Sequence, residues 1–173
     1  MRFFYKIFFY VISINMDYKK LQKDLKFGFM NENQVHNILE EEFGTLFKSK
    51  LNPEMGKFYE FDKYNEEYFI EIKSRRIVHD KFDTLFFGEN KLIKGEELLK
   101  KSPHLRIFYL WKCQDGIFGW EHKSSEYEIR KRGRCDRGKD EFDDCVDILQ
   151  KNIKPLKNLL DNINGNDKQD EVQ

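Results

Sequence analysis

Between Met55 and Arg76 the chain spells strand, tight turn, strand, and this stretch most constrains what it can fold into. Phe58 to Asp62 reads as the first strand and Lys63 to Glu66 as the turn, with Asn65 the residue most tolerant of turn geometry. Glu67 to Ser74 reads as the second strand. Side chains alternate along a strand, so Tyr68, Ile70, Ile72 and Ser74 share one face, and Phe69, Glu71 and Lys73 the other. An acid and a base therefore leave the same side of an otherwise apolar strand. Asp62, ending the first strand, comes back beside them, so two carboxylates and an ammonium are expected to converge.

The rest of the chain places elements around this hairpin. Asp17 to Lys26 reads as a short helix or lead-in. Asn31 reads as the N-cap of a longer helix, with Gln34 completing a capping box, and Val35, Ile38, Leu39, Phe43, Leu46 and Phe47 form its apolar stripe. Projected at the helical period, Glu32 falls within that stripe, while Glu40, Glu41 and Glu42 flank it or face away. An acid in a first helical turn also suits the helix dipole, which accounts for its presence but not its inward direction. After the hairpin, Thr84 to Phe87 reads as a short edge strand ended by Gly88. Glu89 to Lys101 reads as a helix with Leu92, Gly95 and Leu99 on one side, and Gly95 allows close approach to a sheet. Arg106 to Lys112 is apolar on both faces, as a central strand is, and Asp115-Gly116 turns it into a partner strand from Ile117 to His122. Further strands are read at Glu126 to Arg132 and Cys145 to Ile148, and a terminal helix from Pro155 to Ile163. The fold class is α/β: a mixed β-sheet flanked by helices, in αβββαβ-type order.

At 173 residues the chain suits one domain, assigned to residues 17–163, with a polar tail over 164–173 expected to be disordered. Residues 1–16 are an extension that is either an added edge strand or dispensable; Lys6 interrupts its apolar run, which is too short to span a bilayer, so no membrane partner is expected. Charged residues make up 36% of the chain, yet 17 Phe and 2 Trp supply a core, and Trp111 and Trp120 are assigned to packing. Net charge is zero, so nucleic-acid binding must come from local basic clusters. Cys113, Cys135 and Cys145 lack a zinc-finger spacing, and with His122 they fit a reduced intracellular protein, of cytoplasm or nucleus, better than a zinc site.

Glu-x-Lys occurs three times, at Glu71, Glu89 and Glu121, where chance alone yields about two. Only Glu71-Ile-Lys73 has an aspartate on a neighbouring strand and the Glu32 helix before it. With that order, residues 31 to 122 resemble the PD-(D/E)XK nuclease superfamily, whose fold is restriction-endonuclease-like; Glu32, Asp62, Glu71 and Lys73 match its motif, with Phe61-Asp62 where Pro-Asp is common. The Ile70 to Arg76 run, Asn90-Lys91 and Gly133 to Gly138 also resemble uncharacterised proteins of large DNA viruses.

The resemblance implies a metal-dependent nuclease hydrolysing DNA phosphodiester bonds. Asp62, Glu71 and the backbone carbonyl of Ile72 would hold Mg²⁺ or Mn²⁺, Lys73 would assist the attacking water, and Glu32 would hold a second ion or a water. Expected phosphate contacts are Arg75, Arg76 and Lys91, together with Arg130, Lys131, Arg132, Arg134 and Arg137 of the densest basic run. For that run, an exposed turn balanced by Asp140, Glu141, Asp143 and Asp144 is an equal reading, and for Lys91 a solvated helix lysine is one. The alternatives for the whole protein are a non-catalytic nucleic-acid-binding or structural protein that keeps the fold, and an interaction module with Glu71 and Lys73 ion-paired on an exposed sheet face. The sequence leaves the oligomeric state open, a dimer included.

Overall fold

The computed structural model describes residues 2–43, 48–52, 57–123, 126–134, 141–159 and 161. In chain order the elements are helix α1 (Arg2–Phe43) and strands β1 (Lys48–Asn52), β2 (Lys57–Tyr64), β3 (Tyr68–Ser74) and β4 (Thr84–Gly88). Helix α2 (Glu89–Lys101) follows, then β5 (Arg106–Cys113), β6 (Gly116–Glu121), β7 (Glu128–Arg134), β8 (Glu141–Leu149) and β9 (Lys154–Pro155). Two sheets result. The larger has the order β1-β2-β3-β5-β6-β9 and the smaller β4-β8-β7. The fold is mixed α/β, with β3 and β5 parallel and the other pairs of the large sheet antiparallel.

Alternation along β3 sorts the two halves of the core. Ile70 and Ile72 pack with Val35 and Leu39 of α1 and with Phe108 and Leu110 of β5. On the opposite side, Phe61, Tyr109, Trp111 and Trp120 pack with Leu85 and Phe87 of β4, Leu92 of α2, and Val146 and Ile148 of β8. The small sheet and α2 thus cover one face of the large sheet and α1 covers the other. β5 is buried through both faces, from Ile107 to Trp111, as its unbroken apolar run predicts. Residues 75–105 provide the long crossover that parallel neighbours β3 and β5 require.

The hairpin turn opens two residues later than the sequence suggests. Asn65 Oδ1 accepts from the backbone N–H groups of Glu67 (2.9 Å) and Tyr68 (2.7 Å), an Asx turn that lets β2 run on to Tyr64. Gly116 carries φ +152°, which explains a glycine after Asp115 in the β5–β6 turn. Gly95 does bring α2 close to the sheet: a Cβ there would lie 2.8 Å from Tyr109 Oη and 3.3 Å from Ile107 Cδ1. Tyr109 is stacked on Phe87 and cannot retreat. Gly95→Val is therefore expected to destabilise the protein by about 2 kcal/mol through overpacking, read as a lower urea midpoint at unchanged slope.

Several expectations are corrected. Asn31 is not an N-cap: α1 is one helix of 42 residues through it, and Asn31 Nδ2 donates to Phe27 O at 2.7 Å, inside the helix. The segment before Met16 is part of this helix and not an edge strand. β1 was not expected. Residues 84–88 do form a strand, but at the border of the second sheet, paired with β8. The strand expected over Glu126 to Arg132 forms as Glu128–Arg134, so the basic run is strand and not an exposed turn up to Arg134, paired with the acidic β8. Residues 156–159 are helical as expected after Pro155. Leu46, Phe47, Cys135, Asp136, Arg137, Asp140 and the tail from 164 lie outside the described residues. Among the described residues, no helix is long and apolar enough to cross a membrane.

Candidate active site

β2 and β3 pair beside their turn, at Lys63–Ile70 and Tyr64–Phe69, and then part. Where the backbone ladder stops, Asp62 takes over: its Oδ2 accepts the Ile72 N–H at 2.8 Å. A strand amide that has lost its carbonyl partner is thus satisfied by a carboxylate. That bond holds Asp62, 6% exposed, beside the peptide unit that joins Glu71 to Ile72.

Glu71 is 1% exposed, on the face of the sheet turned toward α2. A buried carboxylate needs compensation, and two lysines supply it. Lys73 Nζ donates to Oε1 at 2.5 Å, and Lys91 Nζ of α2 lies 2.9 Å from Oε2. The Lys91 approach is off the hydrogen-bonding direction, so Oε2 has an ionic neighbour but no directed hydrogen bond. Burial pushes the Lys73 pKa down, but the charge and hydrogen bond of Glu71, and then the charge of Asp62, outweigh it and hold the pKa above that of a free lysine. Lys73 is accordingly an ammonium across the neutral range.

Lys91 is placed by a residue the sequence reading passed over. Tyr109, in the centre of β5 and paired in register with Glu71, donates its hydroxyl to Lys91 O at 3.0 Å. The first turn of α2 is thereby fixed above Glu71. Burial, followed by the charge of Glu71, raises the Tyr109 pKa, so the phenol stays protonated and donating. Its only signal in the sequence was a tyrosine where an all-apolar strand would carry phenylalanine.

Asp62, Glu71, Lys73 and Lys91 come together. Glu32 sits on α1, and its charge acts on Lys63, whose register partner Ile70 faces α1; Glu71 and Lys73 occupy the opposite face of β3. Burial lowers the Lys63 pKa despite the charges of Glu32 and Asp62. His36, one turn after Glu32, contacts Glu40 at 3.4 Å. Arg75 donates to Phe86 O at 2.8 Å and lies over the Phe86 ring, and Arg76 pairs with Asp24 at 2.8 Å and lies over Phe27. Both nevertheless line a cavity of about 270 Å³ beyond the end of β3, with Lys112 and with Phe27 and Asn31 of α1.

In the basic run, Arg132 makes two bonds to Asp147 (2.7 and 2.6 Å), and Arg130 pairs with Glu128 at 2.5 Å. Those two arginines thus serve the second sheet. Lys131 is exposed; the side chains of Arg134 and Arg137 are not among those described.

The rival motif is spent elsewhere, because Glu121 is held by Arg106 through contacts of 2.8 and 3.0 Å. Glu89-Asn-Lys91 contributes Lys91 alone. Among the described residues, one group of three metal-ligating side chains lies close together: His79, Asp80 and Asp115 at the β5–β6 turn. His79 Nδ1 and Asp115 Oδ2 are 2.6 Å apart and bind each other, which explains Asp115 without an ion. Cys113 and Cys145 are free, buried thiols that join no such group, and burial raises the Cys113 pKa to about 11.

The donors at Glu71 suit a hard cation: two carboxylates and the Ile72 carbonyl, with Glu71 Oε2 lacking a directed hydrogen bond. Lys91 would have to swing aside, which its flexible stem permits. No family model matches the chain, and no match was found among curated proteins or solved structures.

Proposed function

We propose that the protein is a metal-dependent nuclease that hydrolyses DNA phosphodiester bonds at Asp62, Glu71 and Lys73. One observation carries the reading: Asp62 replaces the backbone ladder at Ile72 and is thereby set next to Glu71, with two ammonium groups against the acids. The element order α1-β1-β2-β3-α2-β5, with β4 inserted, supports a restriction-endonuclease-like core. Parallel pairing of β3 with β5 across α2 supports it too.

In this reading Asp62, Glu71 and the Ile72 carbonyl hold Mg²⁺ or Mn²⁺. A bound ion of this kind polarises a phosphoryl oxygen and makes a coordinated water more acidic. Lys73, a third exposed, reaches from the buried acid toward solvent, orients the attacking water and offsets negative charge on the phosphoryl oxygens. Lys91 neutralises Glu71 in the metal-free chain and, once displaced, becomes a phosphate contact. Arg75, Arg76 and Lys112 line a cavity beyond the end of β3, bounded by Phe27 and Asn31 of α1, and would be further phosphate contacts there.

A second reading is a nuclease-like fold without catalysis, in which Glu71 is a buried ion-pair hub; the two lysines already compensating it favour that view. Calorimetric titration with Mn²⁺ separates the two. The nuclease binds Mn²⁺, and Asp62→Asn is expected to weaken binding about ten- to a hundredfold by removing one charged ligand. Failure of the unmodified protein to bind Mn²⁺, or equal binding by Asp62→Asn, would assign these acids to structure.

A further inference from the structure

A second concave site lies at the outer edge of the large sheet, in a cavity of about 350 Å³ beside Trp120. Trp120 and Glu121 of β6, with Lys123 and Glu126, form one wall. The 3-10 turn Gln150–Asn152 and β9 form the other, and Asn152 Nδ2 ties the walls together by donating to Glu126 O at 3.4 Å.

The charges around this cavity do not cancel. Arg106 is spent on Glu121 through its two-pronged contact. Glu126 accepts a long bond of 3.5 Å from Trp120 Nε1. Lys123, Lys151 and Lys154 also line the cavity, and among the described residues no acid lies within ion-pairing distance of any of them. Three lysines against Glu126 leave a surplus of two positive charges on one small concavity, in a chain whose net charge is zero. Ammonium groups gathered this way repel one another until an anion enters.

We propose that this cavity binds a phosphomonoester dianion. Its charge of about −2 matches the surplus, and its three terminal oxygens offer one acceptor to each lysine. A phosphodiester carries a single charge and would leave part of the surplus uncompensated. Recognition stops at the phosphate, because Trp120 is only 1% exposed and offers no face on which a base could stack. The phosphate could belong to a small sugar phosphate or to the 5′ end of a nucleic-acid strand. Arg106, Glu121 and Lys154 stand on the face of the large sheet that carries Phe108 and Leu110, opposite Glu71, and phosphate binding here does not depend on the nuclease reading.

The full-length protein, free of divalent metal, is titrated by calorimetry at constant ionic strength with inorganic phosphate, ribose 5-phosphate, dimethyl phosphate and malate. Phosphate and ribose 5-phosphate are expected to bind at least tenfold tighter than dimethyl phosphate or malate. The Lys151→Gln/Lys154→Gln variant, altered at two exposed positions, is expected to lose at least tenfold in affinity for ribose 5-phosphate while keeping its urea midpoint. No binding of either phosphate at millimolar concentration, equal binding of malate, or unchanged affinity in the variant overturns the assignment. A 5′-phosphorylated tetranucleotide that binds tighter than ribose 5-phosphate, and tighter than its 5′-hydroxyl form, identifies a strand end as the source. Equal affinities of the two phosphorylated ligands identify a small phosphate. A protein that binds phosphate but cleaves nothing leaves this site standing and removes only the nuclease proposal.

Discussion

Lys73→Ala is expected to lower Mg²⁺-dependent DNA cleavage by about a hundred- to a thousandfold, the loss typical of one group that stabilises developing charge, while leaving the fold and Mn²⁺ binding in place. The fold survives because Lys73 lies near the end of β3 with its side chain a third exposed, and Glu71 keeps Lys91 at 2.9 Å. Metal binding survives because Lys73 supplies no ligand, and its removal lightens the competition for Oε1. The measurements are single-turnover cleavage of a DNA panel with and without Mg²⁺, circular dichroism, and Mn²⁺ calorimetry. Cleavage at the parent rate would remove Lys73 from the mechanism. Loss of cleavage together with the fold would make it a structural residue.

What the sequence made legible was local. β3 and α2 are written in periods of two and 3.6, β5 in an unbroken apolar run, and they and β6 are punctuated by Asn65, Gly88, Pro103 and Asp115-Gly116, so neighbours a few residues apart specify them. The start of α1 was misread because Asn31 and Gln34 look like a capping box. Helical context overrides that preference, and Asn31 spends its amide on Phe27 O inside the helix. β1, Lys-Ser-Lys-Leu-Asn, carries no alternation of its own and exists through pairing with β2. The second sheet was invisible as a sheet because β4 meets β8 some sixty residues later, and no local pattern encodes that partner.

The candidate site was half legible by the same logic. Asp62, Glu71 and Lys73 belong to one hairpin, so alternation and turn position bring them together. Lys91 was noticed as a cation but assigned to phosphate, because its position over Glu71 depends on how α2 crosses β3 and on the Tyr109 hydroxyl. Asp147 went unnoticed although its signal matches that of Glu71, a lone acid within the otherwise apolar run Cys145 to Leu149. It too is 1% exposed and faces two cations, Arg132 and Arg130. The difference lies in saturation: Arg132 bonds both oxygens of Asp147, whereas Glu71 Oε2 has no directed bond. A fully forked pair reads as structure, and an incompletely satisfied one retains capacity for a ligand.

That contrast sets the second large effect. Glu71→Ala is expected to abolish Mn²⁺ binding and cleavage and to lower the stability of the metal-free protein by about 3 kcal/mol, the scale of breaking a buried pair at one partner. Lys91, 15% exposed, bears most of that cost, because Lys73 is exposed enough for water to screen it. Adding Lys91→Met to Glu71→Ala should recover most of the stability, since both members of the pair are then gone, and no metal binding, giving a coupling energy in urea denaturation. Lys91→Met alone should tighten Mn²⁺ binding severalfold, because the ammonium no longer competes for Oε2. Asp147→Ala serves as the control. It too destabilises by breaking a buried pair, but it leaves Mn²⁺ affinity unchanged. If Lys91→Met weakened Mn²⁺ binding, or Asp147→Ala abolished it as Glu71→Ala does, the carboxylate of Glu71 would hold the fold rather than an ion, and hydrolysis at this strand pair would lose its chemical basis.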